Sequence, residues 1–262
     1  ISEIARNLRT SAPHAGAVSA LFSVTAYPLG YWTEKEVIET IVDLVKNAED
    51  DEFLYKVIQY LGDDNFYIRR AAAKVLTRLG DERSVPYLLK ALDDEDVWVR
   101  ANACLALASI GDPCSIPYLV ESLNDPEEAV RKSAVAGLLQ FGPEALVPLV
   151  SVVATWPPSR GHEAADFVVR HIITNYEVSD EIVALLRDYS KTHQRYVLIR
   201  LSQLSRTTQL GLDGAYISSF IITLIKDGEV QESDLDLAFD VVTRLGGSEL
   251  PRLIRQLAFS PS

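Results

Sequence analysis

The segment DEDVWVRANACLALASIGDPCSIPYLVESL (94–123) decides the fold, because the stretches on either side repeat it. DDNFYIRRAAAKVLTRLGDERSVPYLLKAL (63–92) precedes it, and DPEEAVRKSAVAGLLQFGPEALVPLVSVV (125–153) follows. Residue types recur every 31 positions without slippage: Arg69, Arg100 and Arg131; Ala72, Ala103 and Ala134; Leu76, Leu107 and Leu138. Gly80, Gly111 and Gly142 continue the series, as do Pro86, Pro117 and Pro148. Each unit reads as two helices. The longer has apolar residues at helical spacing, such as Ile68, Ala72, Val75, Leu76 and Leu79. A glycine stops it, since a residue without a side chain takes the left-handed conformation freely. The shorter helix starts near the proline, which a first turn tolerates. One such pair cannot bury its apolar face alone, whereas a stack of pairs builds a continuous core.

This pattern, with Arg, Ala, Leu, Gly-Asp and Ile-Pro at fixed offsets, resembles the HEAT-like repeat named after phycobilisome (bilin) lyases. The resemblance covers about 95 residues, 61–155. It implies an all-α fold: a right-handed α-solenoid, or superhelix, of helical hairpins. It implies little about activity, because the repeat occurs in lyases, scaffolds and modification enzymes alike.

Outside this centre the pattern loosens. Thr33 and Glu36 in TEKEVIETIVDLV predict a capping box opening an amphipathic helix to about Ala48, and DEFLYKVIQYL (51–61) resembles a short helix. TWPPSR (155–160) breaks the repeat with two adjacent prolines. Helical patterns return at about 162–175, 180–189, 194–206, 215–228 and 233–247, the last with Ser233 as its cap. The length accommodates roughly eight units. The expected organisation is one solenoid domain over 1–262. Degenerate repeats or a cap fill 1–60, three regular repeats 61–155, and degenerate repeats 156–262.

A formal net charge of −12 disfavours nucleic acid and anionic membrane as partners. Two cysteines, Cys104 and Cys114, leave no disulfide framework, so a cytoplasmic location is expected. No apolar run reads as long enough to span a bilayer. AGAVSALFSVTAYPLG (15–30), preceded by Arg6 and Arg9, reads as a buried helix ending near Pro28 rather than as a secretory signal. The chain starts at Ile1 and contains no methionine, which points to a processed or artificial start.

The arginine ladder reads as structural, pairing with Asp63, Asp94 and Asp125, because sites seldom repeat with the scaffold period. Positions that vary between units are better candidates for function. Tyr67 and Trp98 share one register slot, and rigid aromatic rings suit a binding hot spot. Arg70, Lys74 and Arg78 form a basic stripe that grades into Ala101, Leu105 and Ser109 one unit later. The expected function is therefore a non-catalytic protein-binding scaffold. Tyr67, Arg70, Lys74, Trp98, Asn102 and Leu105 form its partner-binding face. The rings supply anchors, and Arg70 and Lys74 orient an acidic segment.

Two alternatives follow from the resemblance and the architecture: a subunit or chaperone of a bilin lyase, with basic residues meeting the propionates, and a solenoid binding or modifying nucleic acid. His162–Glu163 resembles the iron-binding His-Glu pairs of deoxyhypusine hydroxylases, with His171 and His193 nearby. Its equivalents in register are Arg69–Arg70, Arg100–Ala101 and Arg131–Lys132, which would repel a metal. No metal, cofactor or catalytic residue is therefore expected.

Overall fold

The computed structural model describes residues 15–48, 51–157, 159–176, 178–188, 194–195, 197–199, 201–202 and 214–245. Among these residues every regular element is a helix. The chain divides into two compact units, Ile1–Phe141 and Gly142–Ser262.

In the first unit, α1 (Ala15–Thr25) buries Ala17, Val18, Leu21 and Phe22, as a core helix would. It ends at Thr25, whose hydroxyl donates to the Phe22 carbonyl. Helix α2 (Tyr31–Lys46) follows, then α3 (Glu52–Gln59) with a 3-10 turn over Tyr60–Gly62. The Thr33–Glu36 capping box is not made. The helix starts three residues earlier, with Gly30 at its N-cap, so Thr33 already lies within the first turn.

Three long helices carry the repeat: α4 (Phe66–Leu79), α6 (Val97–Ile110) and α8 (Glu128–Phe141). Short helices α5 (Val85–Ala91) and α7 (Ile116–Ser122) follow the first two, each with its proline in the first turn. Gly80 and Gly111 end α4 and α6 at φ +65° and +77°, where a Cβ would be strained. Ala72, Ala103 and Ala134 are fully buried, as are Leu76, Leu107 and Leu138. Each such leucine contributes about 1.5–3 kcal/mol by leaving water. Val75, Ala106 and Gly137 share one register, shrinking along the series. At Gly137 a Cβ would lie 3.1 Å from the Ala108 Cβ, so α6 and α8 meet almost backbone to backbone.

Arg69 and Arg100 of the ladder each tie their own unit to the next. Arg69 grips Asp94 with two hydrogen bonds, of 2.8 and 2.9 Å, and donates to the Asp63 carbonyl at 2.9 Å. Arg100 does the same to Asp125 (2.8 and 3.0 Å) and the Asp94 carbonyl (2.8 Å). Arg131 reaches the Asp125 carbonyl at 2.6 Å. Asp63, Asp94 and Asp125 also accept the backbone N–H two residues on. The ladder is thus structural. The N-caps themselves are Asn65 and Asp96.

The second unit holds a 3-10 turn (Gly142–Ala145), α9 (Leu146–Thr155), α10 (Arg160–Asn175), α11 (Ser179–Asp188), α12 (Gly214–Lys226) and α13 (Leu235–Arg244). The Ser159 hydroxyl accepts the His162 N–H and caps α10. Ser233 does not cap α13. It lies inside a 3-10 turn over Glu232–Asp234. Of the helix expected over 194–206, residues 194–195, 197–199 and 201–202 are described and are helical; the rest lie outside the described residues.

One further expectation is corrected. Glu128–Val152 is long and apolar enough to cross a membrane by length and composition. The stretch is not one uniform helix, however, because Gly142 at φ +60° and the 3-10 turn interrupt it.

Candidate protein-binding groove

The long helices of the first unit present a groove built from two clefts. Tyr67, Arg70, Lys74, Trp98 and Asn102 line one of about 390 Å³, together with Tyr27, Pro28, Leu29 and Glu34. Lys74, Asn102 and Leu105 line the other, of about 240 Å³, together with Tyr31, Ile38, Thr77 and Arg78. Glu34, Lys74 and Asn102 belong to both, so the clefts are continuous across α2, α4 and α6. All six residues singled out from the sequence face this groove. They converge because Arg70, Lys74 and Arg78 lie at i, i+4 and i+8 on α4, while Trp98, Asn102 and Leu105 occupy the matching face of α6.

The aromatic groups differ in availability. Trp98 is 53% exposed, whereas Tyr67 is half-buried against Phe66, with ring centroids 4.2 Å apart. The Asn102 amide donates to the Trp98 carbonyl at 2.7 Å, within its own helix. Sequence reasoning missed the opposite wall, where Tyr27 and Tyr31 are each about 70% exposed, with Trp32 packed edge-on beside Tyr31. Their signal was the YPLGYW turn (27–32), in which aromatic residues crowd around a proline and a glycine. The Asn65 amide fixes that turn by donating to the Ala26 carbonyl at 2.9 Å.

The basic stripe is not free. Arg70 pairs with Asp96 through two short hydrogen bonds and lies 4.7 Å from the Phe66 ring centre. Lys74 pairs with Glu34 at 2.6 Å, and Arg78 with Glu39 at 2.9 Å. Burial pushes the Asp96 carboxyl upward. The Arg70 guanidinium and the Val99 N–H outweigh it and hold the carboxyl below the ordinary carboxylate range. An acidic partner would therefore have to displace Asp96 or Glu34 before meeting either cation.

Other candidates stay apart from the groove. Cys104 is fully buried, and burial pushes its thiol up to about 12, which makes it a poor nucleophile. Cys114 is exposed in the turn before α7, and its hydrogen bond to Asp112 raises the thiol pKa. His162 is half-buried on α10, its Nδ1 enclosed without a hydrogen-bond partner. His171 is exposed one face away, beside Phe167, and His193 lies outside the described residues. Among the described residues, no three His, Cys, Asp or Glu side chains converge in a way that could hold a metal.

Comparison with known proteins places the repeats. No curated protein matches the sequence. Among solved structures, the complex of CpcE and CpcF of phycocyanin lyase from Nostoc is similar at 17% identity and a TM-score of 0.38, covering 88% of this chain and 84% of that one. An archaeal HEAT-like repeats protein from Thermococcus onnurineus is similar at 19% identity and a TM-score of 0.43, covering 84% and 98%. Human deoxyhypusine hydroxylase is similar at 16% identity and a TM-score of 0.38, covering 95% and 91%. Residues 54–140 match the family model for HEAT repeats. With the hairpins, glycine stops and arginine ladder described above, that match identifies the chain as one that carries HEAT repeats over these residues.

Proposed function

We propose that the first unit is a non-catalytic adaptor that holds a segment of another protein in the groove across α2, α4 and α6. The observation that carries this reading is the convergence of exposed Tyr27, Tyr31 and Trp98 on one continuous cleft, with Arg70 and Lys74 already neutralised. Aromatic anchors seated in clefts supply most of the energy of a typical protein interface. The ion pairs hold the walls in place and leave the partner's recognition to the rings. A bilin would need cations for its propionates, and nucleic acid would need them for its phosphates. Arg70, Lys74 and Arg78 are all engaged, and Lys35, 5.9 Å from the Trp32 ring centre, is a single cation, so this face offers neither alternative a cluster of free positive charge.

The test is cross-linking and mass spectrometry on cell extract, comparing the wild-type chain with Trp98→Ala and Tyr27→Ala. Partners that cross-link to Lys35 beside the groove should be lost from both variants. Retention of every partner by both variants would refute this placement.

A further inference from the structure

We propose that the outer face of the short helices is a second protein-binding surface, and that its occupant is a basic segment presenting arginine or lysine side chains. This inference does not rest on the groove reading, since the two surfaces lie on different helices. Tyr55 on α3, Tyr87 on α5 and Tyr118 on α7 supply one exposed ring per hairpin, at 46%, 44% and 45% exposure. None of their hydroxyls forms a hydrogen bond among the described residues. Tyr87 and Tyr118 are 31 residues apart, so the scaffold itself sets their spacing.

The clefts beside these rings differ in charge. The one between Tyr55 and Tyr87 contains Lys90, and its Asp94 is committed to Arg69. The one beside Tyr118, of about 320 Å³, has no cation in its lining. Leu89 and Leu92 contribute its apolar part, and Asp93 and Glu121 its carboxylates. Both carboxylates are exposed and, among the described residues, in no ion pair, whereas Asp125 at the edge is held by Arg100. An aromatic face, an apolar surface for an aliphatic stem and two unpaired carboxylates complement an arginine or lysine side chain in every part. A cation gains from the ring face and from the carboxylates together. Tyr87 and Tyr55 then extend the contact along the segment's flanking residues.

The test is fluorescence anisotropy with a labelled peptide of alternating arginine and glycine, against the same peptide with citrulline replacing arginine. The wild-type chain should bind the arginine peptide and not the citrulline one. Tyr118→Ala, and separately the Asp93→Asn, Glu121→Gln pair, should each weaken binding by about tenfold, while Tyr118→Phe retains it. The Glu229→Gln, Glu232→Gln pair removes the same charge from exposed positions on the second unit and should change affinity by less than about twofold. Circular dichroism confirms that each variant is folded. Equal weakening by both charge-removing pairs would show diffuse attraction to an acidic chain and overturn the proposal. So would undiminished binding by Tyr118→Ala, or no binding of the arginine peptide at all.

Discussion

At the scale of single residues, the ladder arginines and their aspartates have the sharpest consequences. Arg100 and Asp125 keep only 13% and 11% of their side-chain surface. Asp125→Ala should therefore cost about 1–3 kcal/mol of stability in urea unfolding, between the values for exposed and fully buried pairs. Burial raises the Asp125 carboxyl, but Arg100 and the Glu127 N–H outweigh it and hold the carboxyl below its ordinary range. A carboxyl depressed in the folded state stabilises fully above its unfolded pKa of about 3.9 and loses that contribution as pH falls through the folded value. Asp125→Asn should accordingly lose less stability than the wild-type chain between about pH 4 and pH 2, measured by thermal unfolding at each pH. The thiols give a second check. A disulfide reagent should titrate one thiol, Cys114, in the native protein and reach Cys104 only on unfolding. The ladder was legible in the sequence because its period named both partners. The neutralisation of Arg70, Lys74 and Arg78 was not, because two of their partners, Glu34 and Glu39, sit on an earlier helix outside the repeat.

At the scale of elements, periodicity worked where the period was intact. The three long helices, the glycine stops and the first-turn prolines follow directly from it. Capping failed at Thr33 and Ser233, where a local motif competed with tertiary packing. Helix α2 starts early enough to bring Tyr31 to the groove, and the 3-10 turn absorbs Ser233. Two substitutions separate conformational from steric demands. Gly111→Ala meets open space but must adopt φ +77°, so it should cost about 1–2 kcal/mol. Gly137→Val instead drives a branched side chain into Ala108 and Leu119 and should cost about 1–3 kcal/mol, more if α6 and α8 are forced apart. Chemical denaturation of both variants gives these values directly.

At the scale of the whole molecule, the repeat units are held by their neighbours. Within the first unit, α6 has a long helix on each side, α4 and α8, and the shielding of its backbone should make its amides the slowest there to exchange. Hydrogen exchange followed by mass spectrometry would read this as protection peaking over Val97–Ile110 and falling toward α2. Equal protection of α2 and α6 would contradict it. The fold class was legible at this scale because 31-residue spacing is a property of the whole array. The groove was only half legible: α4 and α6 showed their faces through register, while the wall from Tyr27 to Tyr31 belongs to a segment without repeat spacing.

The direction of the ladder carries one last consequence. Arg69 and Arg100 each bind a carbonyl at the start of their own hairpin and a carboxylate at the start of the following one, so the linkage has a head and a tail, like a monomer in a polymer. A copy of residues 94–124 spliced in after Asn124 would present the same head and tail and close the same bonds. The array can thus grow or shrink by whole modules of 31 residues with no new interaction invented at the seam. A lineage carrying this chain could change the reach of its binding surface by gene duplication alone.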